Sequence, residues 1–338
     1  MKALMLQGPG EAVVAEVSDA VRSGEDDVLL QVRRVGLCGS DLNSYRGRNP
    51  LVSYPRILGH EIAATVAEVN PRHPEWLAGS AVTVSPYTNC GRCASCLRGR
   101  PNACQFNQTL GVQRDGALTE SIAVPAGRLY RAELGIEELC LVEPLTVGFH
   151  AVSRGRVAAE DVVAVMGCGG VGLGAVSGAA FRGATVIGID VDDGKLETAR
   201  KAGAAHTINT AAVDLHAVLA ELTEGRGADV VIEAIGLPLT FRAAVEEVAF
   251  TGRVVYIGYA KEPVAYETRL FVQKELDILG SRNAQPEDFQ DVIRMLEAKR
   301  FPVEEAITHR VALGEAPEIV AAWDREPARF GKIVVEVS

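Results

Sequence analysis

The stretch from Val162 to Phe181 reads VVAVMGCGGVGLGAVSGAAF, and such an uncharged run allows two opposite readings. A membrane helix of this length would be filled with Leu, Ile and Val. Here six glycines gather in the middle and toward one side. They break the run into a short strand (Val162–Met166), a turn and a helix, a water-soluble arrangement. The turn, Gly167-Cys168-Gly169-Gly170-Val171-Gly172, fits G-x-G-x-x-G, which is weak by itself in a chain with 34 glycines. Its setting gives it weight. A strand precedes it, a helix follows, and a second strand ends in Asp190, 18 residues beyond Gly172. Glycines at 167, 169, 170 and 172 let the backbone turn tightly and approach a pyrophosphate, whose charge rests at the helix N-terminus. Asp190 would accept hydrogen bonds from the adenine-ribose hydroxyls and repel a 2′-phosphate. The residues after it, Val191-Asp192-Asp193-Gly194-Lys195, supply no arginine, so NAD is expected over NADP. Gly167, Gly169, Gly170, Val171, Gly172, Asp190 and Lys195 form the expected cofactor-binding set.

Downstream of this turn, strand and helix alternate. Short apolar runs at Thr185–Asp190, His206–Asn209, Asp229–Ala234 and Arg253–Gly258 are separated by helix-length segments at Gly194–Ala202, Leu215–Glu224 and Leu239–Phe250. Strict alternation implies right-handed βαβ units and a parallel sheet. Upstream, residues 2–130 carry short apolar runs (Val28–Val35, Ala63–Val69, Ala81–Val84) between turn residues, the pattern of an irregular β domain. Helical spacing begins at Glu137 and runs to about Arg154. The last fifty residues hold a helix (Pro286–Lys299) and a terminal strand (Lys332–Val337), and periodicity does not decide which domain they join.

At 338 residues the chain exceeds the size of a single core, so two domains are expected. A net charge of -10 with no Lys/Arg-rich run argues against a nucleic-acid partner. The opening apolar stretch, Met1 to Leu6, is too short for a signal peptide, and a cytoplasmic protein is expected.

There are seven cysteines, an odd number, and four of them (Cys90, Cys93, Cys96 and Cys104) fall within fifteen residues. That is a metal-site pattern and not a disulfide framework. Four thiolates on a short loop suit tetrahedral zinc and leave no open position, so the site would be structural. An iron–sulfur cluster lacks any accompanying redox signature here, and a nucleic-acid-binding ribbon lacks basic residues. Three further candidates lie apart: Cys38 in Gly36-Leu37-Cys38-Gly39-Ser40-Asp41, His60-Glu61 after Gly59, and Glu143 before Pro144. Singly, each has an ordinary reading as a buried small residue, a loop histidine or a helix carboxylate. Mixed sulfur, nitrogen and oxygen ligands from separate loops are nevertheless what an open, catalytic zinc site requires.

Taken in order, Cys38-Gly39-Ser40-Asp41, Gly59-His60-Glu61, the four-cysteine lobe, Glu143-Pro144 and the glycine-rich turn resemble the zinc-containing medium-chain alcohol/polyol dehydrogenases. The resemblance covers essentially the whole chain. It implies an α/β protein with a GroES-like β-rich catalytic domain (1–147, zinc lobe about 86–106), a Rossmann domain (148–286) and a C-terminal segment (287–338) returning to the first. It also implies two zinc ions, with zinc and nicotinamide in a cleft. Cys38 and His60 would ligate the catalytic zinc, with Glu61 and Glu143 direct or water-mediated ligands. A glutamate in the fourth place, where others have cysteine, is similar to the sorbitol/threonine dehydrogenase branch. Zinc as a Lewis acid would lower the pKa of a bound hydroxyl, and Ser40 would pass the proton outward. Arg282 lies where relatives put a cation near the zinc-side glutamate. Many relatives have His three residues after the Ser; here Asn43 cannot titrate, and a substrate contact is expected of it.

Ser53-Tyr54-Pro55-Arg56 and the segment Ser281 to Phe289 look closest to L-galactonate-type sugar-acid dehydrogenases, with some likeness to aminocyclitol and galactitol-type enzymes. A polyhydroxylated substrate is therefore expected over threonine or a simple alcohol. Arg114 and Arg282 are candidates to pair with a substrate carboxylate. No nucleic acid or membrane partner is expected, and relatives are commonly homodimers or homotetramers. A zinc-free quinone-reductase relative would share the fold but lack Cys38, His60 and the four-cysteine lobe.

Overall fold

A computed structural model describes residues 1–337, which divide into two compact units. One comprises Met1–Glu143 together with the chain from Val303 onward, and the other is Pro144–Pro302. The chain first passes between them inside a helix, Ile136–Arg154, at the Glu143-Pro144 bond.

The second unit is built on a six-stranded sheet with the order His206–Asn209, Thr185–Asp190, Val162–Met166, Ala228–Glu233, Val248–Tyr256, Asp277–Gly280. Every pairing is parallel. This is the doubly wound order, and it reverses between Val162–Met166 and Ala228–Glu233. Helices such as Gly170–Phe181 and Asp193–Lys201 cover the faces, so strands like Val163-Ala164-Val165-Met166 are buried on both sides and read as unbroken apolar runs. The charge-free stretch from Val162 to Phe181 is a strand, a turn and a helix. Among the described residues no helix is long and apolar enough to cross a membrane.

Two details differ from the sequence pattern. The strand expected at Arg253 begins at Val248, because a register shift lets an earlier residue pair. Asp277–Gly280 is a sixth strand that periodicity misses; it is four residues long and lies at the sheet edge with little burial.

In the first unit, Asp27–Leu37 is the spine of a seven-stranded sheet. It pairs antiparallel with Glu61–Glu68, Ser121–Pro125 and Lys332–Glu336. The register sets Ile333 opposite Leu37 and Glu61 opposite Gly36. The end of the chain thus joins the first unit, and Val320 and Trp323 enter its core beside Leu30, Val32 and Ile62. The helix Pro286–Glu297 stays with the parallel sheet: buried Asp288 accepts from His150 Nδ1 at 2.8 Å and from Ser153 Oγ at 3.2 Å.

Candidate active site and metal centres

The four cysteines between residues 90 and 104 converge, and all are free thiols. Cys93 Sγ lies 3.5 Å from Cys96 Sγ and 3.8 Å from Cys104 Sγ. Sulfurs held about 2.3 Å from one tetrahedral zinc stand about 3.8 Å apart, so the spacing fits that ion. Backbone N–H groups point at the sulfurs: Cys93 N to Cys90 Sγ, and Cys90 N and Phe106 N to Cys104 Sγ, each at 3.3 Å. The Ser95 hydroxyl, with the N–H groups of Cys96 and Gln105, pulls the Cys93 thiol down to about 5. Burial and the neighbouring sulfur push Cys96 up to about 11. Crowded thiols that cannot all ionise alone are relieved by a divalent cation.

The second cluster is assembled from two places in the chain, Cys38 and the adjacent pair His60-Glu61. Cys38 caps the helix Gly39–Tyr45, where its N–H donates to Asp41 Oδ2 at 2.8 Å. His60 follows Gly59, whose φ of +98° in a crowded spot suits glycine alone. Glu61 opens the strand Glu61–Glu68. One ligand atom from each of Cys38, His60 and Glu61 lies within 4.8 Å of the others.

Acidic groups surround the imidazole. Burial works against the charged form of His60, but the charges of Asp41, Cys38 and Glu143 and a hydrogen bond with Cys38 outweigh it and hold the group well above the usual histidine range. Acidic groups converging on a buried imidazole favour a cation, and the soft-to-hard mix of S, N and O suits zinc. His60 Nδ1 and Asp41 Oδ1 face each other at 3.9 Å, both buried and both without a hydrogen-bond partner. The carboxylate thus stands on the side of the ring where an outer acceptor would orient a metal-bound imidazole, at a distance longer than a hydrogen bond. Ser40 Oγ sits 3.5 Å from His60 Nε2.

The glutamates are held differently. Glu61 is fully buried, and both its oxygens accept from Lys332 Nζ at 2.6 Å; the lysine also reaches Leu37 O at 3.2 Å. A methyl group on Gly36 would lie 1.9 Å from Glu61 Oε2, so glycine clears the space the carboxylate fills. Glu143 accepts a short hydrogen bond from the Tyr87 hydroxyl and lies outside the three-residue cluster. Burial and the nearby Glu61 push its carboxyl up to about 6, against the pull of His60, Tyr87 and Lys332.

In the second unit, Gly167 turns at φ +96° and Gly172 packs so closely that a methyl there would meet Gly167 O at 1.7 Å. Gly169 and Gly170 are exposed at the mouth of the helix Gly170–Phe181. Asp190 ties this turn to its own strand. It accepts from Cys168 N at 2.8 Å through Oδ2, and from Val191 N at 2.8 Å and Asp192 N at 3.2 Å through Oδ1. Val171 and Lys195 are half-buried nearby in the same unit.

The candidate substrate residues come from different elements, two in the first unit and one in the second. Asn43 is half-buried on the helix that carries Ser40. Arg114, in the first unit, lies on the loop Gly111–Gly116, where its charge bears on Arg128. Arg282 belongs to the second unit, between Asp277–Gly280 and Pro286–Glu297. The sequence assigned no role to Lys332, Tyr87 or Asp41. Asp41 closes the Cys38-Gly39-Ser40-Asp41 motif. Lys332 is 271 residues from Glu61 and Tyr87 is 56 from Glu143, separations at which no local pattern points to a partner.

Two family models match: the alcohol dehydrogenase GroES-like domain over residues 24–133 and the zinc-binding dehydrogenase domain over residues 170–298. L-galactonate-5-dehydrogenase of Escherichia coli K12 is 32% identical over 311 residues, 92% of this chain and 91% of the relative. Among solved structures, an Escherichia coli CFT073 alcohol dehydrogenase complexed with NADH superposes with a TM-score of 0.91 at 28% identity, covering 100% and 99% of the two chains. A zinc-binding dehydrogenase from Sinorhizobium meliloti bound to NADP gives 0.91 at 29% identity, covering 99% of each.

Proposed function

Because the chain belongs to the family of zinc-binding alcohol dehydrogenases with a GroES-like domain, we propose that it oxidises a secondary hydroxyl of a sugar acid or polyol at the Cys38–His60–Glu61 centre, with NAD as hydride acceptor. The observation that carries this reading is the buried convergence of those three residues. When bound, zinc supplies Lewis acidity toward the hydroxyl and NAD supplies the acceptor carbon.

The chain's own residues do the rest. Cys38 and His60 would hold the ion, and Asp41 keeps the imidazole turned toward it. Glu61, paired with Lys332, would also be the carboxylate within reach of the ion, and Tyr87 would keep Glu143 in place as an outer acceptor. Ser40 Oγ, beside His60 Nε2, takes the substrate proton outward. Asn43, three residues on, cannot relay it, so the proton leaves through water or the cofactor ribose. Asp190 favours NAD over NADP, since a 2′-phosphate would meet its carboxylate.

Sugar acids come first because of the kinship with an L-galactonate dehydrogenase over nine-tenths of the chain, and because Arg114 and Arg282 can each meet a carboxylate. Asn43 would contact a substrate hydroxyl. An NAD-reduction screen over aldonates, polyols, cyclitols and threonine tests the reading, together with metal analysis. Turnover on an aldonate or polyol with near two zinc ions per chain is expected. Preference for threonine overturns the substrate class, and a zinc-free chain overturns the chemistry. A homo-oligomer also belongs to this reading: among the described residues Asp277–Gly280 pairs on one edge only and exposes its own Ile278, so a second copy can add its strand there. Sedimentation of the purified chain as a monomer would refute that part.

A further inference from the structure

Glu233 ends the strand Ala228–Glu233 in the middle of the parallel sheet, and its side chain is 0% exposed. Its two oxygens are used unequally. Oε1 accepts from Ile235 N at 3.0 Å, Gly236 N at 2.7 Å and the Thr240 hydroxyl at 2.7 Å. Oε2 has no hydrogen-bond partner and lies against Gly258, where an added methyl would come within 2.4 Å of it. A buried carboxylate is costly to desolvate, and an apolar side chain would fill the same volume. What the acid does that an apolar residue would not is fix one short turn, Ala234–Gly236.

That turn is wedged between two others. A methyl on Gly167, the first glycine of the dinucleotide turn, would meet Ile235 Cγ1 at 2.6 Å; one on Gly236, itself at φ +87°, would meet Tyr259 N at 2.9 Å. Three chain segments leaving three neighbouring strands therefore stand shoulder to shoulder, and Glu233 fastens the middle one. The sheet order reverses between Val162–Met166 and Ala228–Glu233. A dinucleotide lies across such a reversal, with its adenylate half toward the strand ending in Asp190 and the other half over the strands beyond. On that far side the turn presents Ile235, and the next strand's end presents Tyr259, both with exposed surface open to a flat ring.

We propose that Glu233 is a positioning residue for the nicotinamide half of the cofactor, acting through the Ala234–Gly236 turn and not by touching the ligand. This rests on the NAD reading above. The test titrates the zinc-loaded full chain with NADH and, separately, with 5′-AMP, which carries only the adenylate half. Glu233→Ala should raise the Kd for NADH about tenfold while that for 5′-AMP moves less than about twofold. Glu233→Gln, whose amide oxygen can still accept from the two N–H groups, should recover most of the loss. Thr240→Val, a milder change that keeps the acid, should give the same split at about threefold, so a Glu233→Ala chain that fails to fold does not remove the test. Equal weakening of both ligands, or of neither, overturns the inference and leaves the NAD reading intact. Failure of the unaltered chain to bind NADH overturns both.

Discussion

The two metal clusters of the first unit are built in opposite ways. The four-cysteine lobe draws identical ligands from fifteen residues of chain, and its sulfurs are served by nearby backbone N–H groups. The Cys38–His60–Glu61 cluster joins three different ligand types from two segments over twenty residues apart, and it depends on neighbours outside the cluster: Asp41, Lys332 and Tyr87. A closed set of four strong ligands satisfies an ion completely and can do no more than hold the chain together. A mixed and incomplete set leaves room for a substrate, and the surrounding charges tune it.

The comparison breaks most sharply at His60. His60→Ala should lower kcat/KM at least about a thousandfold and bring zinc from two ions per chain to one, with the fold kept, because the lobe is untouched. Loss of both ions would mean the centres are not independent. Next in size, Cys104→Ser should empty the lobe and cost several kcal/mol of stability, read as a fall in Tm, while zinc at the other centre is retained. A variant as stable as the parent would strip the lobe of its structural role.

Lys332→Met probes the charge balance. Without zinc, Glu61 would be left as a buried and uncompensated charge, costing about 3 kcal/mol or more. With zinc, the carboxylate still has a partner. The gap in Tm between loaded and chelator-stripped protein should therefore widen relative to the parent. An unchanged gap would show that Glu61 does not respond to the metal.

The smallest effect concerns thiol chemistry in stripped protein. Cys93 is depressed to about 5, so its thiolate is present above that pH and is lost as pH falls through it. Cys168 is pushed up to about 12, chiefly by burial, and stays a thiol across the ordinary range. Iodoacetamide at pH 6 to 8 should label Cys93 and spare Cys168, as peptide mass mapping would show. Labelling of Cys168 first would contradict the burial of the dinucleotide turn.

The same contrast explains what could be read from sequence. The lobe, the glycine-rich turn and the alternating strands are local: ligand spacing, glycine placement and period are all set within tens of residues, and the structure finds these elements close to where the patterns put them. Asp277–Gly280 escaped because an exposed edge strand carries no burial pattern. The partner of Glu61 escaped for another reason. Lys332 opens an ordinary terminal strand, and only the register that sets Ile333 opposite Leu37 brings its amine to the carboxylate. Glu233 was invisible in the same way, since a strand-end glutamate shows its role only when the turn above it is seen.

The position of Lys332 also bears on the order in which the molecule comes into being. During synthesis all of the second unit, Pro144–Pro302, emerges before this lysine does, and domains tend to fold as their chain becomes available. The parallel sheet can close early from contiguous chain. The first unit must wait, with Glu61 lacking its counter-charge and the spine strand Asp27–Leu37 lacking one neighbour, until the strand Lys332–Glu336 arrives. The parallel-sheet unit is thus free to mature first, and the Cys38–His60–Glu61 cluster gains its counter-charge only from chain made after that unit.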